Sequence, residues 1–442
     1  MQDHTSHYAP VPVPTLEQEV PLPVRSPEQP SDSKEFTTNI IGWILQGGVI
    51  LSASIILIGF LMLPLHPGGL SVQRLLSFPQ TLSQVWAGLL VLRPQAVIAL
   101  GLLLLIATPI VRVMVSIVAF ALERDRHFVL ITSLVLAILL LSNVLLGTMG
   151  ANASHSNIQH LHFSPLIVLI IFAGSIMAGV LGSLVGLGGG VLIVPLLTIA
   201  FGLPIYFAIG ASIISVIATS SGAATAYVRD HLTNLRVGMF LEIATTTGAI
   251  TGAFLAGLLA PDLLFVLFGV MLLISALPLL RKIGEELPQR VKNDRLANWL
   301  HLSGSYPDRR LGREVAYQVT HTPLGMAMMY VAGIISGLLG IGSGTFKVLA
   351  MDTAMRLPMK VSTTSNFMIG VTAAASAGIY FSRGDVPPLV AAPVALGVLL
   401  GAFLGTRLLT HLSNKALRLI FIPVMVVIAL EMVLHGLGIT PI

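Results

Sequence analysis

The sequence predicts an all-α, polytopic helical membrane protein. It reads as an inverted repeat around two Gly-broken, hairpin-like helices, with an N-terminal three-helix unit ahead of it. Three observations predict this. Of 442 residues, 55% are hydrophobic and 10% charged, against roughly 45–50% apolar and 25% charged in soluble globular chains. Several apolar runs reach the ~20 residues that a helix needs to cross the hydrocarbon core. Third, the glycine run Gly186-Leu187-Gly188-Gly189-Gly190 returns as Gly340-Ile341-Gly342-Ser343-Gly344, each inside an apolar region. Glycine weakens a helix, and in lipid the freed backbone groups are tolerated only where protein or a water-filled cavity meets them. Matching interruptions in two halves of a membrane protein point to a transporter's binding site.

Composition narrows the functional class. The chain has no cysteine, which rules out disulfides and thiol catalysis. Its formal net charge of +5 marks cytoplasmic loops in a membrane protein and implies no nucleic-acid partner.

Residues 1–39 are polar and hold seven prolines, Pro10 to Pro30, without a signal-peptide pattern. Such a segment cannot bury a core and is expected as a disordered cytosolic tail. Residues 40–149 hold three apolar spans, about 40–63, 96–120 and 128–149. Arg112 sits in the second. Intramembrane arginine is costly and a functional candidate by default. At about two turns from the expected helix end, snorkelling to the interface is the better reading here. The link that follows holds His155, His160 and His162. They are a loose metal-binding pattern without a supporting carboxylate, and a solvated loop explains them equally well.

Residues 164–281 form a first repeat and residues 322–438 a second. Gly186, Gly188 and Gly190 match Gly340, Gly342 and Gly344, and Leu203-Pro204 matches Leu357-Pro358. After a shorter loop, the block from Gly248 to Leu255 matches that from Gly397 to Leu404. This is an internal duplication. Between the repeats, residues 282–321 form a basic loop with Arg290, Lys292, Arg295, Arg309, Arg310 and Arg313. It is the strongest cytosolic signal in the chain.

Charge placement fixes the expected topology. If each broken segment enters and returns on one side, three full spans follow in each repeat and the second repeat is inverted. Arg124, Arg126, Arg229, Arg236, Arg356, Lys360, Arg407, Lys415 and Arg418 then fall inside, and only Arg74, Arg93 and Arg383 outside. The N-terminus is expected in the cytosol and the C-terminus outside.

Two resemblances follow from these residues. The stretch Gly182 to Gly190, then Val194-Pro195-Leu196-Leu197 and Ala208-Ile209-Gly210-Ala211-Ser212, resembles the TauE/SafE sulfite exporter family over about residues 165–438. The resemblance implies transport of small anions, typically sulfite, sulfonates or other sulfur-containing organic anions, across the bacterial inner membrane. The second copy departs from the pattern, with Ser343 for a glycine and Lys347 and Asp352 in the apolar run. That leaves the particular substrate open. The stretch Gly101 to Thr132, with Thr108-Pro109, Arg112 and the Glu-Arg-Asp turn, resembles a small uncharacterised three-span family whose members often sit beside such transporters.

An anion at mid-membrane needs positive potential with little fixed charge, and helix N-termini beside glycine breaks provide it. Gly188, Gly189, Gly190, Gly342, Ser343 and Gly344 are therefore expected to line the site, with Ser212 and Asn366, register mates, as side-chain donors. Close helix packing is the competing reading of small residues, and Gly248, Gly252, Ala256, Gly397, Gly401 and Gly405 are assigned to it. Lys347 is either a counter-ion for substrate or a snorkelling side chain. Glu242 is the candidate proton-coupling carboxylate. Only about one turn inside its span, it reads more simply as an interfacial group. No catalytic, metal or cofactor site is expected. Self-association is left open. The reading is a secondary transporter working by alternating access of two inverted repeats, with coupling to the proton-motive force. The rival is a non-transporting scaffold that docks partners through its tail and basic loop.

Overall fold

The computed structural model describes residues 32–63, 79, 82–143, 165–185, 189–229, 233–280, 291–308, 313–358, 361–409 and 414–439. The N-terminal unit comprises α1 (Asp32–Met62), the short α2 (Leu82–Leu90), α3 (Pro94–Leu122) and α4 (Arg126–Leu141). Helix α1 begins inside the segment expected as a tail; residues 1–31, and the three histidines of the 144–164 link, lie outside the described residues. Pro94 opens α3 at its first position, where its missing N–H costs nothing. Asp125 caps α4 by accepting from the Phe128 N–H at 3.4 Å. Helices α1 and α3 cross where Gly59 and Gly101 leave no room for a side chain against Ile98 and Ile56.

The first repeat comprises α5 (Pro165–Val185), α6 (Gly190–Pro195) running into a π-helical turn (Leu196–Ala200), α7 (Ile205–Arg229), α8 (Leu235–Ala256) and α9 (Pro261–Leu280). The second comprises α11 (Thr322–Leu339), α12 (Gly344–Leu349) with its own π turn (Ala350–Ala354), α13 (Thr364–Ser382), α14 (Pro388–Leu409) and α15 (Asn414–Gly436). Packing follows a two-fold exchange. Helix α5 lies along α14, and its counterpart α11 lies along α8, the counterpart of α14; α7 pairs with α13 and α9 with α15. The glycines assigned to packing make these contacts. A methyl at Gly248 or Gly252 would collide with the Tyr330 or Ile334 carbonyl, and one at Gly397 or Gly401 with the Phe172 or Ile176 carbonyl. Each repeat places three full helices after its broken segment, so the fold is an inverted-repeat helical membrane fold.

Among the described residues five helices are long and apolar enough to cross a membrane, and six shorter ones are apolar. Their outer faces carry Leu166, Leu169, Met177, Phe254, Val331 and Phe403, all exposed and suited to contact a lipid bilayer. The protein is multi-pass.

The three-span unit is not a separate body. Helix α3 packs against α7 and α13, and α4 against α8. At the far end of α4, the Ser142 hydroxyl donates to the Ala375 carbonyl and Asn143 Nδ2 to the Ala374 carbonyl at 3.2 Å. At the near end Arg236 pairs with Asp125 at 3.1 Å. The unit is thus fastened to the second repeat's central helix at one end and to α8 at the other.

The loop expected over 282–321 holds folded structure. It contains α10 (Arg295–Trp299) and an antiparallel hairpin of β1 (Gly304–Asp308) and β2 (Arg313–Tyr317), with Gly304 opposite Tyr317. Asp294 caps α10 through the Ala297 N–H (2.7 Å) and takes the Thr322 N–H (2.6 Å) and hydroxyl (2.7 Å) at the start of α11. Partial burial pushes the Asp294 carboxyl up, but these hydrogen bonds, Thr322 first, hold it net below its usual range. Tyr317 is buried, and burial pushes its phenol up to about 12 although the Asn234 hydrogen bond lowers it. Asn234 Nδ2 donates to the Tyr317 hydroxyl (2.6 Å) and the Leu302 carbonyl (3.1 Å), while its Oδ1 caps α8. The insert therefore packs onto the helix ends rather than hanging free.

Candidate transport site

The two glycine breaks meet at one hydroxyl. Ser212 Oγ on α7 lies 3.0 Å from the Gly190 carbonyl and 2.8 Å from the Gly340 carbonyl. A hydroxyl has a single proton, so the two breaks share it. Gly340 ends α11 in the left-handed region (φ 69°), and Gly342 (φ 70°) and Ser343 (φ 47°) follow there. The left-handed turn swings the chain from α11 into α12 and aims Ser343 inward. Its hydroxyl is buried without a hydrogen-bond partner among the described residues. Of the expected lining residues, Gly189, Gly190, Ser212, Gly342, Ser343 and Gly344 are all buried, and Asn366 is half-buried at the start of α13. Gly188 lies outside the described residues.

One turn past the second break, the chain buries ions. Lys347 is 0% exposed and Glu242 1%. The Lys347 ammonium donates to the Thr372 hydroxyl, and that hydroxyl donates to Glu242 Oε1 at 2.8 Å, with the Met368 carbonyl (2.9 Å) as its other acceptor. Three elements thus meet at one threonine: α12 brings the cation, α8 the carboxylate and α13 the bridge. The interfacial reading of Glu242 is corrected by this geometry. Its helix begins at Leu235, but the hairpin insert meets that end through Asn234 and the α3–α4 turn through Arg236, and Lys347 of α12 reaches the carboxylate through Thr372. The snorkelling reading of Lys347 fails likewise: the side chain turns toward α13 rather than toward the membrane surface.

Arg112 requires the largest correction. Helix α3 runs to Leu122, which puts Arg112 roughly 15 Å from the helix end at 1.5 Å per residue, too deep to snorkel. It is 1% exposed. Its guanidinium stacks over the Phe367 ring, with Cζ 4.4 Å from the centroid, and lies beside Gly370 and Ser220. The charge of Glu242 acts on both Arg112 and Lys347. Sequence reasoning missed Thr372 altogether. A threonine bonding its own i−4 carbonyl is ordinary in an apolar helix, so nothing in its neighbourhood marks it. Arg112 carried its signal, an arginine in a long apolar run, and only the estimate of depth was wrong.

Residues 170–432 match the family model of the sulfite exporter TauE/SafE. Residues 41–144 match that of a protein of unknown function (DUF1634). The chain is 26% identical over 278 residues to the probable membrane transporter protein YunE of Bacillus subtilis, covering 61% of this chain and 98% of that protein. It is 27% identical over 252 residues to the probable membrane transporter protein YdhB of the same organism (57% and 91%). To a probable membrane transporter protein of Methanocaldococcus jannaschii it is 26% identical over 288 residues (62% and 97%). No solved structure matches the chain.

Proposed function

Because the chain belongs to the sulfite exporter TauE/SafE family, a family of transporters and not of enzymes, we propose that it moves small anions across the bacterial inner membrane. Sulfite, sulfonates and other sulfur-containing organic anions are the expected substrates, and the outward direction follows the family's description. The N-terminus faces the cytosol, and the two inverted repeats rock against each other about the paired glycine breaks.

The observation that carries this reading is the buried Lys347 on a broken helix, held through Thr372 to Glu242. A lysine fully removed from water and lipid is expensive unless partnered, and such groups mark ion pathways. Lys347 is the fixed cation for the anion, with the Ser343 hydroxyl and the glycine backbone as neutral donors. Glu242 is the proton-coupling group. When a doubly charged anion takes over the lysine, the carboxylate is left with excess negative charge in a low-dielectric setting, and taking up a proton removes that cost. Proton and anion then share a direction, so outward flux runs down the anion's own gradient and an inward proton gradient opposes it.

Flux of labelled sulfite and a sulfonate into proteoliposomes, with and without a pH gradient, tests this. Wild type should carry flux that responds to the gradient. Lys347→Met should carry none, and Glu242→Gln should keep exchange while losing the response to pH. Folded wild type that moves no sulfur anion, or Lys347→Met with wild-type flux, overturns the reading.

A further inference from the structure

The three-span unit places a buried cation among the helices of the repeats. Arg112 is contributed by α3, yet its surroundings belong to the repeats: Phe367 and Gly370 on α13 and Ser220 on α7. Its Nε, Nη1 and Nη2 all lack an acceptor among the described residues, although the group is buried. Two further buried atoms are unpaired among the described residues, Glu242 Oε2 and, one turn before Lys347, Ser343 Oγ. The aromatic ring covers one face of the guanidinium and leaves its fork of N–H donors unspent. Gly370 lets the fork lie close against α13: a Cβ there would stand 2.7 Å from Nη2.

Charge counting gives these unspent donors a chemistry. Arg112 and Lys347 are two cations facing one carboxylate, Glu242. The buried set is one positive charge in excess, and a single monoanion neutralises it. A guanidinium fork matches the paired oxygens of an oxyanion in two parallel hydrogen bonds, which a lysine cannot do. We propose that the N-terminal unit supplies Arg112 as an oxyanion-binding residue of the transport core, so that both units build one site for a small singly charged sulfonate- or sulfite-like anion. This rests on the transport reading and adds that the site is incomplete without the three-span unit. A dianion would fit only with a proton on Glu242.

The purified full-length chain should be titrated with methanesulfonate and sulfite by calorimetry, and the same variants assayed for flux. Wild type should bind both. Arg112→Gln should lose affinity roughly tenfold to a hundredfold, the effect of removing charged hydrogen bonds, while its thermal unfolding temperature holds or rises because an unpaired buried charge is gone. Arg112→Lys should recover charge but not the fork, giving intermediate affinity for methanesulfonate; it also serves if Arg112→Gln does not fold. Wild-type affinity and flux in either substitution would overturn the inference and leave the transport reading standing. Wild type that neither binds nor moves any of these anions would overturn both.

Discussion

Past their breaks the two broken segments share their geometry and differ in their charge, although Gly189 is right-handed (φ −62°) where Ser343 is left-handed (φ 47°). Each runs from a glycine break through a six-residue helix into a π turn, and each ends on a left-handed residue, Gly202 (φ 62°) or Arg356 (φ 57°). Register for register, Ile193 stands where Lys347 stands, and Gly189 where Ser343 stands. Among the described residues the first copy buries Val191, Leu192, Ile193 and Val194 and one polar side chain, Thr198, whose hydroxyl donates to the Val194 carbonyl; the second buries Lys347 and an unpaired Ser343 hydroxyl. Duplication therefore repeats the shape while the charge is carried once. The reason is electrostatic. A second buried cation would need its own carboxylate or its own anion, and an unpaired one costs several kcal/mol. The polar centre is built from α8, α12, α13 and the three-span unit.

The comparison breaks most sharply at the register pair itself. Lys347→Met should abolish flux, and removing one partner of a buried pair should cost about 3–5 kcal/mol. The double variant with Glu242→Gln should recover that stability without recovering flux. Ile193→Ala, by contrast, leaves a cavity that costs about 2–5 kcal/mol, while flux per folded molecule stays near wild type. Chemical denaturation and proteoliposome flux on the same preparations decide it. Equal flux loss at both positions would mean that the site is symmetric after all.

Thr372 tests whether the charge is carried by a unit or by a residue. Thr372→Val keeps the shape and removes the hydroxyl that both ions use. It should destabilise by about 1–3 kcal/mol, the cost of leaving buried polar groups unmet, and lower flux without abolishing it. Its register mate is Ala218, buried on α7, so the first repeat has no equivalent bridge to lose.

How much of this the sequence disclosed follows from what kind of information each feature carries. Glycine register encodes helix contact directly, since a Cβ at Gly252 or Gly401 meets a carbonyl. The duplication, the breaks and the packing faces were therefore legible. Depth in the bilayer is set by tertiary packing and is not. Glu242 lies about two turns inside its helix and Arg112 less than three from the end of its own, and both read as interfacial until the covering elements are seen. The hairpin over 304–317 went unread because its strands are five residues long and its basic residues spoke only to sidedness. Burial of Tyr306 and Tyr317 holds it.

Ser343→Gly would bring the second break toward the first. Ser343 pays for a left-handed backbone that glycine adopts freely, a strain of roughly 1–2 kcal/mol, partly offset by the extra freedom of glycine in the unfolded chain. The variant should be more stable by up to about 1 kcal/mol by the same reasoning. If the unpaired hydroxyl serves the anion, affinity should fall severalfold as stability rises, a split that a purely structural serine would not show. Arg356→Gly is the matching control. It relieves the same kind of strain at the far end of the π turn, where Gly202 already stands in the first copy. A small gain in unfolding temperature with unchanged anion affinity is expected there. A loss of affinity at Arg356 as large as at Ser343 would mean that the left-handed turns, and not the serine hydroxyl, set the site.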